Sequence, residues 1–127
     1  MSLPRRFSIS INGRPIGMPR SNPDEPTQAK ACDMGDEPAV FEIQDRHLVS
    51  GPFAMGRHCM EDLSLRPKRV LWCPREQMGM LRPVDVLDNG NGPELGLSGG
   101  KLAYDNGQLV CPLIPGGPEQ RVEILPM

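Results

Sequence analysis

The sequence predicts an all-β domain assembled from three similar units, and three observations lead there. An apolar residue followed by Asn or Ser and then Gly recurs at Ile11-Asn12-Gly13, Val49-Ser50-Gly51 and Leu97-Ser98-Gly99. An apolar-acidic-apolar triplet recurs at Phe41-Glu42-Ile43, Val84-Asp85-Val86 and Val122-Glu123-Ile124. Cys32, Cys73 and Cys111 lie between opener and closer, 41 and 38 residues apart, while the triplets are 43 and 38 apart. Self-similarity at a period near 40 is the mark of a repeated supersecondary unit. Finally, 15 Pro and 14 Gly in 127 residues interrupt the chain too often for a helix of more than two or three turns.

The elements follow in order. Short strands are expected at 7–11, 15–18, 28–32, 39–44, 47–50, 53–56, 69–73, 83–87, 94–98, 101–104, 108–113 and 120–125. In the first, Phe7, Ile9 and Ile11 point one way and Ser8 and Ser10 the other, the period-two pattern of a half-buried strand. Asn12-Gly13, Asp88-Asn89-Gly90 and Asp105-Asn106-Gly107 supply turns in which Gly accepts positive φ. Residues 21–27 read as a long exposed loop. Twelve strands in three units of four match the β-trefoil, a six-stranded barrel capped by three hairpins, with units of roughly 5–45, 46–88 and 89–127. Closure removes most sheet edges, and a β-sandwich would not need markers at thirds of the chain. The Gly and the Cys of the third unit are 12 positions apart against 19 and 22, a shortening expected in the connection between its second and third strands.

Length and charge bound the function. A chain of this size suits a single domain, and a net charge of -2 offers no basic field for nucleic acid. No apolar stretch reaches a membrane span, and the N-terminal residues lack the apolar region of a secretory signal, so the expectation is a cytoplasmic monomer with free thiols. Eight Met are expected to fill part of the core that so few aromatics leave.

Catalysis and cofactors have little support. His47 and His58 are the only histidines, and nothing pairs a nucleophile with a base and an orienting group. No metal-ligand spacing is present, and the three spaced cysteines read as small buried hydrophobes rather than a thiolate site. Glu42, Asp85 and Glu123 read as the solvent face of each closing strand.

Residues 17–26 read as an instrument of recognition. Gly17-Met18-Pro19-Arg20-Ser21-Asn22-Pro23 sets a basic residue between prolines, which restrict φ and order the backbone before a partner arrives. An exposed Arg on a stiff loop suits the acidic pocket of a trypsin-like protease. Arg14, Arg66 and Arg82 precede Pro, a poor bond for such an enzyme, whereas Arg20, Arg57 and Arg75 do not.

Gly56-Arg57-His58-Cys59-Met60-Glu61-Asp62-Leu63-Ser64-Leu65-Arg66-Pro67-Lys68-Arg69-Val70 resembles the fungal β-trefoil serine protease inhibitors of the cospin and cnispin type. In these, a G-R element precedes E-D-x-S-L-x-P-K-x-V. Leu87-Asp88-Asn89-Gly90, Gly99-Gly100 and Asp105-Asn106-Gly107-Gln108-Leu109 extend the likeness, which covers roughly 53–125. The resemblance implies an inhibitor that acts as a substrate mimic of a trypsin-like serine protease, its reactive residue between the second and third strands of the first unit. Pro19, Arg20, Ser21 and Asn22 occupy that loop, with Arg57 and His58 as a secondary candidate. Closing strands that in the family often carry an aromatic residue here have Phe41, Val84 and Val122. The competing readings are a carbohydrate-binding trefoil, for which five aromatics supply few stacking platforms, and a trefoil that binds another protein without inhibiting it.

Overall fold

The described residues form twelve short strands: β1 (Phe7–Ile11), β2 (Arg14–Pro15), β3 (Thr27–Gln28), β4 (Glu42–Gln44), β5 (His47–Ser50), β6 (Phe53–Arg57), β7 (Lys68–Pro74), β8 (Asp85–Asp88), β9 (Pro93–Gly96), β10 (Ala103–Asp105), β11 (Gln108–Cys111) and β12 (Val122–Pro126). The computed structural model describes residues 4–19, 27–61, 64, 66–88, 93–97, 100–113 and 120–127. Every expected strand overlaps an observed one. The one helical element described, a 3-10 helix over Arg75–Met80, falls between two expected strands.

Pairing connects the two ends of the described chain. β1 lies between β12 and β2, and two backbone bonds of 3.1 and 2.7 Å between Phe7 and Phe41 bring the start of β4 against β1. β4, β5, β6 and β7 form an antiparallel meander. The Val84 N–H donates to the Arg46 carbonyl at 2.8 Å, tying the approach to β8 to the start of β5, and β8 pairs with β9. Elsewhere β3, β7 and β11, from successive thirds of the chain, meet. β7 pairs with both β3 and β11, and Lys30 bridges to Gln108. At the centre the Ala29 N–H donates to the Val70 carbonyl and the Leu109 N–H to the Ala29 carbonyl, both at 2.8 Å. All three side chains are buried.

Turn chemistry sets the local registers. Asn12-Gly13 and Asn106-Gly107 both have positive φ, 53 and 82° in the first and 52 and 80° in the second, as a two-residue hairpin turn requires. The second closes β10 on β11 with Asp105 opposite Gln108, which accounts for the short third unit. Between β4 and β5 the same left-handed conformation falls on Asp45 and Arg46, at 50 and 64°, with no glycine to relieve it.

The core is continuous from β1 to β11. Phe41 stacks on Trp72 with centroids 5.7 Å apart and planes 5° apart, and Phe53 meets the indole edge-on at 6.1 Å. Strand periodicity splits β6 between two layers: Phe53 and Met55 face this core, while Ala54 joins Val49, Cys73 and Leu81 in a smaller cluster under Met78 and Met80. Methionine therefore fills the core only in part, since Met34, Met60 and Met127 are exposed. Ser8 and Ser10 depart from the expected solvated face. They are buried, because β1 has β2 and β12 on its flanks and the Phe41 bridge beside it.

The acidic centres of the triplets are each on the surface and each faces an arginine: Arg6–Glu42 at 3.0 Å, Arg46–Asp85 at 3.1 Å and Arg121–Glu123 at 3.0 Å. Exposed pairs of this kind contribute little, about 0–1 kcal/mol. The Asp45-Arg46 turn gives a direct test. Arg46→Gly is expected to raise stability by about 0.5–1 kcal/mol, the left-handed strain relieved exceeding the surface pair lost. Urea melts should show a higher midpoint at unchanged slope, and a lower midpoint would mean that the Arg46–Asp85 pair outweighs the strain.

Candidate functional site

Two connections carry the residues singled out from the sequence. Arg20, Ser21 and Asn22 belong to 20–26, outside the described residues, while Pro19 and the stems on either side are described. The outgoing stem is pinned by backbone. Gly17 donates to Lys30 at 3.0 Å, Met18 donates to Glu37 at 2.8 Å, Cys32 donates back to Pro15 at 2.8 Å, and Ala39 donates to Ile16 at 2.9 Å. The approach at Gly17 is close: a Cβ there would lie 3.1 Å from the Cys32 Cα, tighter than most side chains tolerate. The returning stem, Thr27, pairs with Trp72. Met18 and Pro19 border a hollow of about 510 Å³ whose far wall is the turn holding Met34, Gly35, Asp36 and Glu37. That turn is closed by the Asp33 N–H on the Asp36 carboxylate at 2.9 Å and the Asp36 N–H on the Asp33 carbonyl at 3.0 Å.

The secondary candidate has a different environment. Arg57, at the end of β6, is only 4 % exposed. Its Nε and Nη2 donate to the Glu61 carboxylate, with Nη2 at 2.6 Å, and its Nη1 donates to the Leu97 carbonyl at 2.7 Å. Hydrogen bonding to Glu61 holds the guanidinium further toward its charged form, against the opposing effect of burial. Arg82 approaches the same carboxylate at 3.5 Å. To enter a protease pocket Arg57 would have to abandon all of these partners, and breaking a buried pair costs about 3–5 kcal/mol. It acts as a scaffold residue in this structure. The four-residue spacing from Arg57 to Glu61 is the signal of this pair in the sequence, although it falls in a connection rather than on a helix. His58 is half-buried, its Nδ1 accepting the Met60 N–H at 2.9 Å.

His47 has its two ring nitrogens against backbone carbonyls, Nδ1 at 2.7 Å from Asp45 and Nε2 at 2.9 Å from Leu81, which fastens β5 to the segment after the 3-10 helix. The repeated cysteines do not converge. Three residues beyond Ala29, Val70 and Leu109 lie Cys32, Cys73 and Pro112, so Cys111 is one position out of register. A one-residue shift turns a side chain to the other face, and Cys73 joins the small cluster whereas Cys111 joins the main core. Burial pushes the Cys73 thiol up to about 11 and also raises that of Cys111, which Arg57 opposes. Among the described residues no three His, Cys, Asp or Glu side chains are grouped to hold a metal.

None of the five aromatic rings is exposed. Phe7, Phe41, Phe53 and Trp72 are buried. Tyr104 is half-buried, donates its hydroxyl to the Arg14 carbonyl at 3.0 Å and lies under the Arg14 guanidinium. Burial pushes its phenol up to about 12. A sugar would find no open face on which to stack. Among the described residues no helix is long and apolar enough to cross a membrane. No family model, curated protein or solved structure matches the chain.

Two measurements check this arrangement. Glu61→Ala should destabilise the fold by about 3–5 kcal/mol in chemical denaturation, because it strands a buried guanidinium, while Arg57→Met together with Glu61→Ala should recover part of that loss. Equal losses in the single and double variants would mean that the Arg57 charge was not the source. With a thiol reagent on the native protein, the exposed Cys59 should react first, and Cys73 and Cys111 only as the chain unfolds. Prompt reaction of either buried thiol would contradict the packing.

Proposed function

We propose that the protein is a β-trefoil serine protease inhibitor of trypsin-like specificity, with Arg20 as the residue offered to the enzyme and Pro19, Ser21 and Asn22 beside it. The observation that carries the reading is the fixed backbone on both sides of 20–26: Gly17 and Met18 on one stem and Thr27 on the other are all held by strand-type hydrogen bonds. A loop set between rigid stems loses little conformational entropy on docking, which is what a substrate mimic needs to bind tightly and resist turnover. The bonds at the stems are made within the domain itself and need no partner.

The trefoil reading draws on the pairing scheme. A six-stranded barrel joins the first and fourth strands of successive units in a ring. The β12–β1 ladder, the Phe7–Phe41 bridge, the β4–β5 hairpin, the Arg46–Val84 bond and the β8–β9 hairpin supply five of its six contacts. The cap is a triangle of second-to-third-strand hairpins, and β3, β7 and β11 meet in such a triangle. Inside the cell is the compartment most consistent with four free cysteines.

Titration of trypsin with the purified protein tests the proposal. The wild type should inhibit, and Arg20→Ala should weaken inhibition at least about thirtyfold, as for a central interface residue. Arg75→Ala, which changes another basic residue not followed by Pro, should leave it unchanged. Absence of inhibition by micromolar wild type would sink the reading, and inhibition that survives Arg20→Ala would move the contact elsewhere.

A further inference from the structure

We propose that the groove between the β6–β7 connection and β7 binds an acidic peptide segment bearing apolar side chains, gripped by Arg66 and Arg69. It is a separate surface from Arg20, and the inference does not rest on protease inhibition.

The groove encloses about 600 Å³. Its apolar lining is Met60, Pro67 and Leu71, and its charged lining includes Arg66 and Arg69. Both arginines are exposed, and neither guanidinium has a hydrogen-bonded or ion-paired partner among the described residues. The carboxylate in this wall does not cancel them, because Glu61 is already engaged by Arg57 at 2.6 Å and approached by Arg82 at 3.5 Å. Lys68 beside them is buried, with its Nζ donating to the Ser64 carbonyl at 2.7 Å. Among the described residues Arg66 and Arg69 therefore place two exposed cations in one concave place on a chain of net charge -2, and complementarity selects an acidic occupant.

One rim of the groove, residues 58–60, is held by hydrogen bonds. The Cys59 N–H donates to the Met80 carbonyl at 2.9 Å, the Arg82 Nε donates to the His58 carbonyl at 3.3 Å, and the His58 ring accepts the Met60 N–H. Met60, 84 % exposed, thus stands on a fixed backbone and gives an adaptable apolar contact without an ordering penalty on the main chain. Exposed cations beside the exposed Met60 and Pro67 fit a peptide that carries carboxylates together with apolar side chains. An acidic saccharide fits less well, because no Phe, Tyr or Trp ring lines the groove among the described residues.

The test uses the full chain and a fluorescein-labelled peptide of Glu-Leu-Glu-Gly repeats, with a Lys-Leu-Lys-Gly peptide as its counterpart, read by fluorescence anisotropy. Binding of the acidic peptide alone is expected, falling as salt rises from about 50 to about 500 mM. Arg66→Glu with Arg69→Glu should weaken it at least about tenfold, and Arg66→Gln with Arg69→Gln should weaken it less. Lys101→Glu, a charge reversal outside the groove, should leave it intact, and unchanged melting curves will show that each variant is folded. Failure of the acidic peptide to bind, equal binding of both peptides, or undiminished binding by the folded charge-reversal variant would overturn the proposal. Preferential binding of a sulfated oligosaccharide would overturn it as well.

Discussion

The meeting of β3, β7 and β11 is the constraint on which the other pairings depend. These strands come from three different thirds of the chain, and β3 is only two residues long, so it has no stability apart from its neighbour on β7. Each contact in the triangle closes a long stretch of sequence and carries the corresponding entropy cost, which a fold of this kind recovers only when all three thirds arrive. Trp72 shows how packing reinforces the arrangement. It stands on β7 opposite Thr27 in the ladder, and its ring stacks on Phe41, which in turn is bonded to the first strand. Backbone and core therefore converge on the same few residues.

Buried charge contributes a second link between thirds. Arg57 at the end of β6 reaches the Leu97 carbonyl, forty residues on, and binds Glu61, whose carboxylate Arg82 also approaches. The stretch from Gly56 to Val70 consequently looks inward as much as outward. Arg57 holds Glu61, and Lys68 holds the Ser64 carbonyl, so part of the G-R and E-D-x-S-L-x-P-K pattern describes residues that bind one another. A resemblance built on such residues concerns how a connection is shaped.

Much of the architecture was legible because β-strands announce themselves through alternation and through the turns that end them. Phe7, Ile9 and Ile11 marked β1, and Asn12-Gly13 and Asn106-Gly107 marked hairpins by a residue pair with few other uses. What escaped depends on tertiary surroundings. Asp45-Arg46 turns like an Asn-Gly pair without its composition, and the 3-10 helix over Arg75–Met80 is recorded in no periodic pattern of six residues. Cys111 matched the repeat in spacing to within a few residues, yet strand geometry distinguishes single positions, and the shift by one set its side chain in a different cluster from Cys73. Arg57 resembled any surface arginine until its carboxylate and carbonyl partners were assembled around it. Of the proposed reactive loop, position and flanking prolines were legible, and its stems are described, whereas Arg20 itself lies outside the described residues.

The stems of that loop bear on how such a protein could change over generations. The bonds at Gly17, Met18, Cys32 and Ala39 join backbone atoms, and Thr27 meets Trp72 through a backbone ladder. Main-chain bonds are indifferent to which side chains lie between them. The ladders on either side of 20–26 therefore set no requirement on which side chains those seven positions carry. A lineage carrying this scaffold keeps the same stem bonds whatever those codons specify, as long as the stem backbone holds its course.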